Sequence, residues 1–162
     1  IAAHHESGDS LPGDLFKRLS AARRFQSARA MLRQLEFSIF DLRLHSRFDP
    51  DGEETIQQVL DDVRASLSVA ESPPYNRFQH AFSHIFAGGY AAGYYSYLWA
   101  EVLSADAFGA FEESGIFDSA TGQAFLNEVL EKGGVESPLD LFTAFRGRAP
   151  GIDALLHQSG LA

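Results

Sequence analysis

The sequence predicts an all-α fold of seven or so helices, and three observations carry that prediction. Apolar residues recur three and four positions apart through long runs, as one face of a helix requires. Clusters of glycine, proline and capping residues separate those runs, as at Pro12-Gly13-Asp14, Asp49-Pro50-Asp51-Gly52 and Lys132-Gly133-Gly134. The 162 residues are 45% apolar, with 14 Phe against one Met, which suits one domain, or a piece of a larger one, with a largely aromatic core. No internal repeat or low-complexity stretch interrupts the pattern.

Taken in order, Pro12-Gly13-Asp14 is a turn that offers Asp14 as an N-cap, and a short helix follows from about Asp14 to Arg23. No Gly or Pro then appears until Pro50. Phe25, Ala28, Leu32, Leu35, Ile39 and Leu42 repeat at helical spacing, and Phe37, Phe40 and Leu44 add a second stripe. A helix over roughly Gln26 to Arg47 is therefore expected to be buried on more than one face, with Arg23, Arg24, Arg29 and Arg33 in solvent. Asp49-Pro50-Asp51-Gly52 breaks the chain. Ile56, Val59, Leu60, Val63 and Leu67 then mark an amphipathic helix that turns Glu53, Glu54, Asp61 and Asp62 outward and ends by Ser72-Pro73-Pro74. Tyr75 to Gly89 reads as irregular or partly extended, and helix resumes near Tyr90 and runs to about Glu112. After Ser114-Gly115, Asp118 or Ser119 caps a helix that closes at Lys132-Gly133-Gly134. Ser137, Pro138 and Asp140 supply the N-cap, N1 and N3 residues of the next, which stops at Gly147 between the cations Arg146 and Arg148. Pro150 opens a last short helix that closes at Gly160.

Composition excludes several functions. A net charge of −9 with scattered basic residues argues against a nucleic acid or an anionic membrane as partner. The absence of cysteine rules out disulfides and thiolate metal sites and favours a cytoplasmic location. Residues Ile1 to Glu6 show neither the charged nor the apolar region of a signal peptide, and the missing Met suggests a fragment or processed product. Between Arg77 and Glu101 the chain is uncharged and long enough to span a bilayer, but three glycines and two histidines suit burial within protein better than lipid.

That uncharged window concentrates the candidate chemistry. Four of the five tyrosines and the only tryptophan fall within ten residues, directly after Gly88-Gly89. On a helix from Tyr90 onward, Tyr90, Tyr94 and Tyr97 would share one face. A phenol is neutral at pH 7 and donates a hydrogen bond without neutralising a nearby metal's charge. Such donors suit the oxyanion formed when water attacks a peptide carbonyl, and one well-placed donor is worth on the order of 3 kcal/mol. Gly88-Gly89 would let the segment move or let backbone approach a substrate. The competing reading is an aromatic stripe packed in the core.

Two histidine groups are weaker candidates. His4-His5-Glu6 lacks the second histidine of a His-Glu-x-x-His zinc motif and reads as an exposed loop. His80 and His84 are spaced for one helix face, but Ala81 stands where the general-base glutamate would be. One of that pair is expected to be buried and satisfied, the other to donate into a cleft.

The run Phe82-Ser83-His84-Ile85-Phe86-Ala87-Gly88-Gly89-Tyr90-Ala91-Ala92-Gly93-Tyr94-Tyr95-Ser96-Tyr97-Leu98-Trp99-Ala100-Glu101 closely resembles the C-terminal catalytic region of the thimet oligopeptidase family of zinc metallopeptidases, nearest to its bacterial oligopeptidase A branch. Leu32 to Phe37, Glu112 to Phe117, Lys132-Gly133-Gly134 and Phe145 to Pro150 support it, as does His4 with Ser7 to Pro12, so the similarity covers essentially residues 1–162. The resemblance implies a multi-helix C-terminal part of a zincin-like oligopeptidase catalytic domain, acting on short peptides in a deep channel. It implies that His84 contacts the substrate near the metal, that Tyr97 and Tyr90 donate to the tetrahedral intermediate, and that Tyr94 lines the substrate side. Gly88 and Gly89 would belong to a mobile loop that closes over substrate.

The family's His-Glu-x-x-His helix and downstream glutamate have no counterpart here, so the resemblance places the zinc ligands upstream and none in this chain. A fragment of that kind is expected to be inactive alone, and to expose apolar surface that binds the missing part or a second copy. The rival class is a non-catalytic helical module whose aromatic groove binds a partner peptide.

Overall fold

The computed structural model describes residues 3–162, so expectations touching Ile1 and Ala2 lie outside the described residues. Among the described residues eight α-helices follow one another: α1 Gly13–Arg24, α2 Ser27–Ser46, α3 Ile56–Leu67, α4 Phe78–Ala81, α5 Ser96–Ser114, α6 Ser119–Phe125, α7 Pro138–Arg146 and α8 Asp153–Gln158. A 3₁₀ turn spans Ser83–Ile85, and a π-helical stretch, Leu126–Leu130, extends α6. The described residues hold no strand, only one isolated bridge between Ala3 and Ser10.

The helices form two packed groups. In the first, α2 lies against α3, and the 3₁₀ turn and Tyr94 close the end of the pair. Phe40, Leu60, Val63 and Ile85 are fully enclosed there, each contributing about 1.5–3 kcal/mol of apolar burial. Phe37, Phe78 and Phe82 stack around them at centroid separations of 4.6–5.1 Å. In the second group α5 packs on α7 and α8, with Phe111, Phe125 and Phe145 in mutual contact. Buried Asp106 of α5 ties this group together: it accepts from Arg148 at 2.7 Å, Arg146 at 3.2 Å and the Gly151 N–H at 2.8 Å.

Several expectations need correction. Helix begins at Ser96, not near Tyr90, because Ala92 adopts a left-handed φ of 54° and the N–H groups of Ala92 and Tyr94 are bound to Asp41. The last helix starts at Asp153, not Pro150, because Asp106 holds Arg148 and the Gly151 N–H outside it. Arg146 and Arg148 are therefore the partners of a buried carboxylate and more than a cationic helix end. Tyr75 to Gly89 contains short helical turns and nothing extended.

On α2 the second stripe carries the deep burial, with Phe40 and Leu44 enclosed. The first stripe is only half-buried at Leu32, Leu35 and Ile39 and open at Phe25 and Leu42, since no described helix covers it. Arg33 is not free in solvent: it pairs with Glu36 at 2.7 Å and lies over the Phe37 and Phe78 rings. His80 and His84 sit on separate short turns and both are exposed. No helix among the described residues is long and apolar enough to cross a membrane.

Candidate functional site

The loop between the 3₁₀ turn and α5 is a sequence of closed turns. The Ser83 carbonyl accepts the N–H groups of Phe86, Ala87 and Gly88 at 3.1, 2.9 and 2.9 Å, folding the chain back on itself. Gly88 consequently lies so close to His84 that a Cβ would stand 2.8 Å from its Cα and its carbonyl oxygen. Gly89 has φ +79°, the left-handed region where a side chain is strained. The Tyr90 N–H then donates to the His84 carbonyl at 3.0 Å, which pins tyrosine to histidine. Both glycines are thus required by shape.

The next turn carries the tyrosines. The Gly93 N–H donates to the Tyr90 carbonyl at 2.8 Å, and the N–H groups of Ala92 and Tyr94 donate to the two carboxylate oxygens of Asp41, each at 2.9 Å. His45, one turn along α2, stands with Nδ1 at 2.8 Å from Asp41 Oδ1 and 3.0 Å from the Asp41 carbonyl. Both are acceptors, so Nδ1 carries the proton. From this anchored turn the side chains diverge. Tyr94 points into the core, edge-on to Phe37 and Phe82, and its hydroxyl donates to Gln34 at 3.2 Å. Tyr90 and Tyr97 remain on the surface, 37% and 43% exposed, stacked on each other with centroids 5.2 Å apart.

All four sequence-predicted side chains therefore meet. Tyr94 and Tyr97 are 5.1 Å apart, and the His84 ring lies 6.0 Å from Tyr94 and 6.4 Å from Tyr90. The assembly is made by turns and not by helical spacing, with Tyr94 as the inner member and Tyr90, Tyr97 and His84 as the outer ones. A side-chain hydrogen bond with Tyr90 raises the Tyr97 phenol above its ordinary range, and burial raises that of Tyr94 against the opposing pull of Arg33. Both stay protonated at neutral pH, so both are donors. Trp99, 47% exposed, follows Tyr97 in the first turn of α5.

Asp41 and Gln34 were missed by the sequence reading. Asp41 had a signal, a carboxylate beside Phe40 on the stripe assigned to the core; Gln34 had none.

A zinc ion, which the family resemblance implies, does not fit the residues present. Among the described residues the one cluster of three candidate ligands is His4, His5 and Glu6, all exposed, with ligand atoms within 4.8 Å of one another. His4 Nδ1 already accepts the backbone N–H groups of Glu6 and Ser7 at 3.4 and 3.2 Å, and the cluster includes neither His84 nor a tyrosine. It is the exposed turn that the sequence suggested.

Comparison with known proteins adds lineage to this geometry. Residues 1–161 match the sequence profile described as peptidase family M3. Over 99% of its length the chain is 54% identical to oligopeptidase A of Escherichia coli, covering 24% of that protein. It is 50% identical to the probable cytosolic oligopeptidase A of Arabidopsis thaliana, also covering 24% of it. A dipeptidyl carboxypeptidase of Salmonella typhimurium is 35% identical, again over 24% of its length. The chain thus spans about a quarter of the length of these relatives.

Proposed function

Because the chain belongs to peptidase family M3, we propose that residues 1–162 are the C-terminal part of the catalytic domain of a zinc oligopeptidase that hydrolyses internal bonds of short peptides. The His-Glu-x-x-His ligands lie outside this chain, and the metal's chemistry is supplied from there. What these residues contribute is binding and hydrogen-bond donation. Tyr97 and Tyr90 offer their hydroxyls to the oxyanion of the attacked peptide group, and His84 contacts the substrate backbone beside them. Tyr94 is the inner wall on which the outer pair rests, and the Gly88-Gly89 turn lies against the bound peptide. The observation that carries the reading is the stacked, exposed Tyr90–Tyr97 pair beside His84.

The test is Tyr97→Phe in the full-length, zinc-loaded enzyme. It removes one hydroxyl and leaves the ring stack, so kcat should fall by about 10²- to 10³-fold with KM little changed, as for loss of an oxyanion donor. Undiminished kcat would end the reading. The isolated chain, with zinc added, should give no turnover of an internally quenched peptide. Turnover that survives purification and stops with Tyr97→Phe would refute that expectation.

The same reading gives location and partners. A cytoplasmic site accords with the absence of cysteine and with the relative described as cytosolic; fractionation with an antibody to the native protein tests it. The open stripe of α2 and exposed Phe25, Val69 and Phe117 form surface for the rest of the enzyme, or for self-association when the chain is alone.

A further inference from the structure

Asp41 is fully buried on α2, yet none of its contacts serves to pair helices in the core. Its carboxylate spans the Tyr90–Tyr95 turn, taking one N–H from Ala92 and one from Tyr94, and His45 Nδ1 holds it from the side. Ala92 is one of two non-glycine residues among those described with a positive φ, a conformation that persists only when its surroundings enforce it. The two N–H···carboxylate bonds do that, and charge-assisted bonds of this kind are stronger than neutral ones. The turn in turn sets where the Tyr90 and Tyr94 rings leave the backbone and where α5, with Tyr97 in its first turn, begins.

We infer that Asp41, oriented by His45, is a positioning residue for catalysis: it fixes the left-handed turn that holds the Tyr90 and Tyr97 hydroxyls in register with each other and with His84. The inference rests on the reading of those hydroxyls as donors. Displacement of about 1 Å at a reacting centre can cost about 100-fold in rate, so a distant anchor of this kind is felt in kcat.

The experiment uses the full-length, zinc-loaded enzyme and an internally quenched peptide. Asp41→Asn keeps the side-chain volume but turns an NH₂ toward one of the two backbone N–H groups. We expect kcat to fall about 10- to 100-fold, with KM changed less than about threefold. Added to the Tyr90→Phe, Tyr97→Phe double variant, the same substitution should cost less than about threefold, because the groups it positions are gone. An equal loss in both backgrounds marks a purely structural role and overturns the inference, as does wild-type kcat for Asp41→Asn. If Asp41→Asn does not fold, His45→Ala replaces it, with a smaller loss of about 3- to 10-fold and the same dependence on background; its absence is equally decisive. Wild-type kcat in the double tyrosine variant brings down the donor reading and this inference together. Impaired tyrosine variants beside a fully active Asp41→Asn bring down this inference alone.

Discussion

Gly88 and Ala92, four residues apart, make opposite demands on the backbone. Gly88 has no room for a methyl group, since the neighbours it would strike are the Cα and carbonyl oxygen of His84, which cannot rotate away. Gly88→Ala should therefore destabilise the protein by about 1–3 kcal/mol, the usual cost of overpacking, read as a lower urea midpoint at unchanged m-value. Ala92 has its methyl group in a conformation that glycine adopts freely, at a strain of about 1–2 kcal/mol. Glycine's greater freedom in the unfolded chain offsets about 0.5–1 kcal/mol of the relief. Ala92→Gly should thus leave the unfolding free energy unchanged or raise it by up to about 1.5 kcal/mol; a clear loss in the same titration would contradict the left-handed assignment.

At the scale of elements, two buried carboxylates decide where helices begin. Asp106 joins α5 to α7 and to the segment before α8 through Arg146, Arg148 and Gly151. Hydrogen bonding to Arg148 chiefly, and then to Gly151 and Arg146, holds its carboxyl below the ordinary range against the opposing effect of burial. A depressed carboxylate contributes stability that is complete above its unfolded pKa of about 4 and is lost as pH falls through the lower folded value. Acid unfolding of Asp106→Asn should accordingly show a shallower decline with pH below about 4 than the parent protein. The Thr55–Gln58 capping box at the start of α3 gives a simpler case: Thr55→Ala should lower stability by about 1 kcal/mol in thermal unfolding.

The same two carboxylates explain what could be read from sequence. The start of α1, the stop of α2, the start of α3 and both ends of α7 were legible because local residues set them: Pro12-Gly13, Pro50-Asp51-Gly52, and the Ser137-Pro138 start with its Gly147 stop; Asp14, by contrast, lies inside α1, and α3 stops at Leu67, ahead of Ser72-Pro73-Pro74. The start of α5 was not, because Asp41 imposes it from 51 residues away, nor that of α8, which Asp106 sets from 45. The candidate site was legible as composition, with His84 and the tyrosines indeed gathered together. Its inner and outer faces were not, because a left-handed turn, and not a helical period, points the rings.

At the scale of the whole molecule, many large apolar side chains among the described residues stand open to solvent. Phe117, Tyr75 and Val69 are 88%, 82% and 80% exposed, and the chain corresponds to 24% of its Escherichia coli relative. Contiguous apolar patches drive association, and Phe25, Leu32, Leu67 and Val69 line one open cavity together. The isolated chain should therefore exceed monomer mass in light scattering and bind an apolar dye, whereas monomers with no dye binding would contradict the proposed buried surface.

Trp99 gives the isolated chain an optical reporter just after the tyrosine turn. As the sole indole of these 162 residues, about half open to solvent and two positions along α5 from Tyr97, it gives the isolated chain one ring that can be excited apart from its tyrosines. Red-edge excitation, which bypasses the phenols, reads the polarity around that ring without a label. Shorter wavelengths add energy transfer from the adjacent tyrosines, so a ligand that parts the stacked rings alters the two excitation modes differently. Occupancy and ring geometry thus become separate optical signals from the unmodified chain.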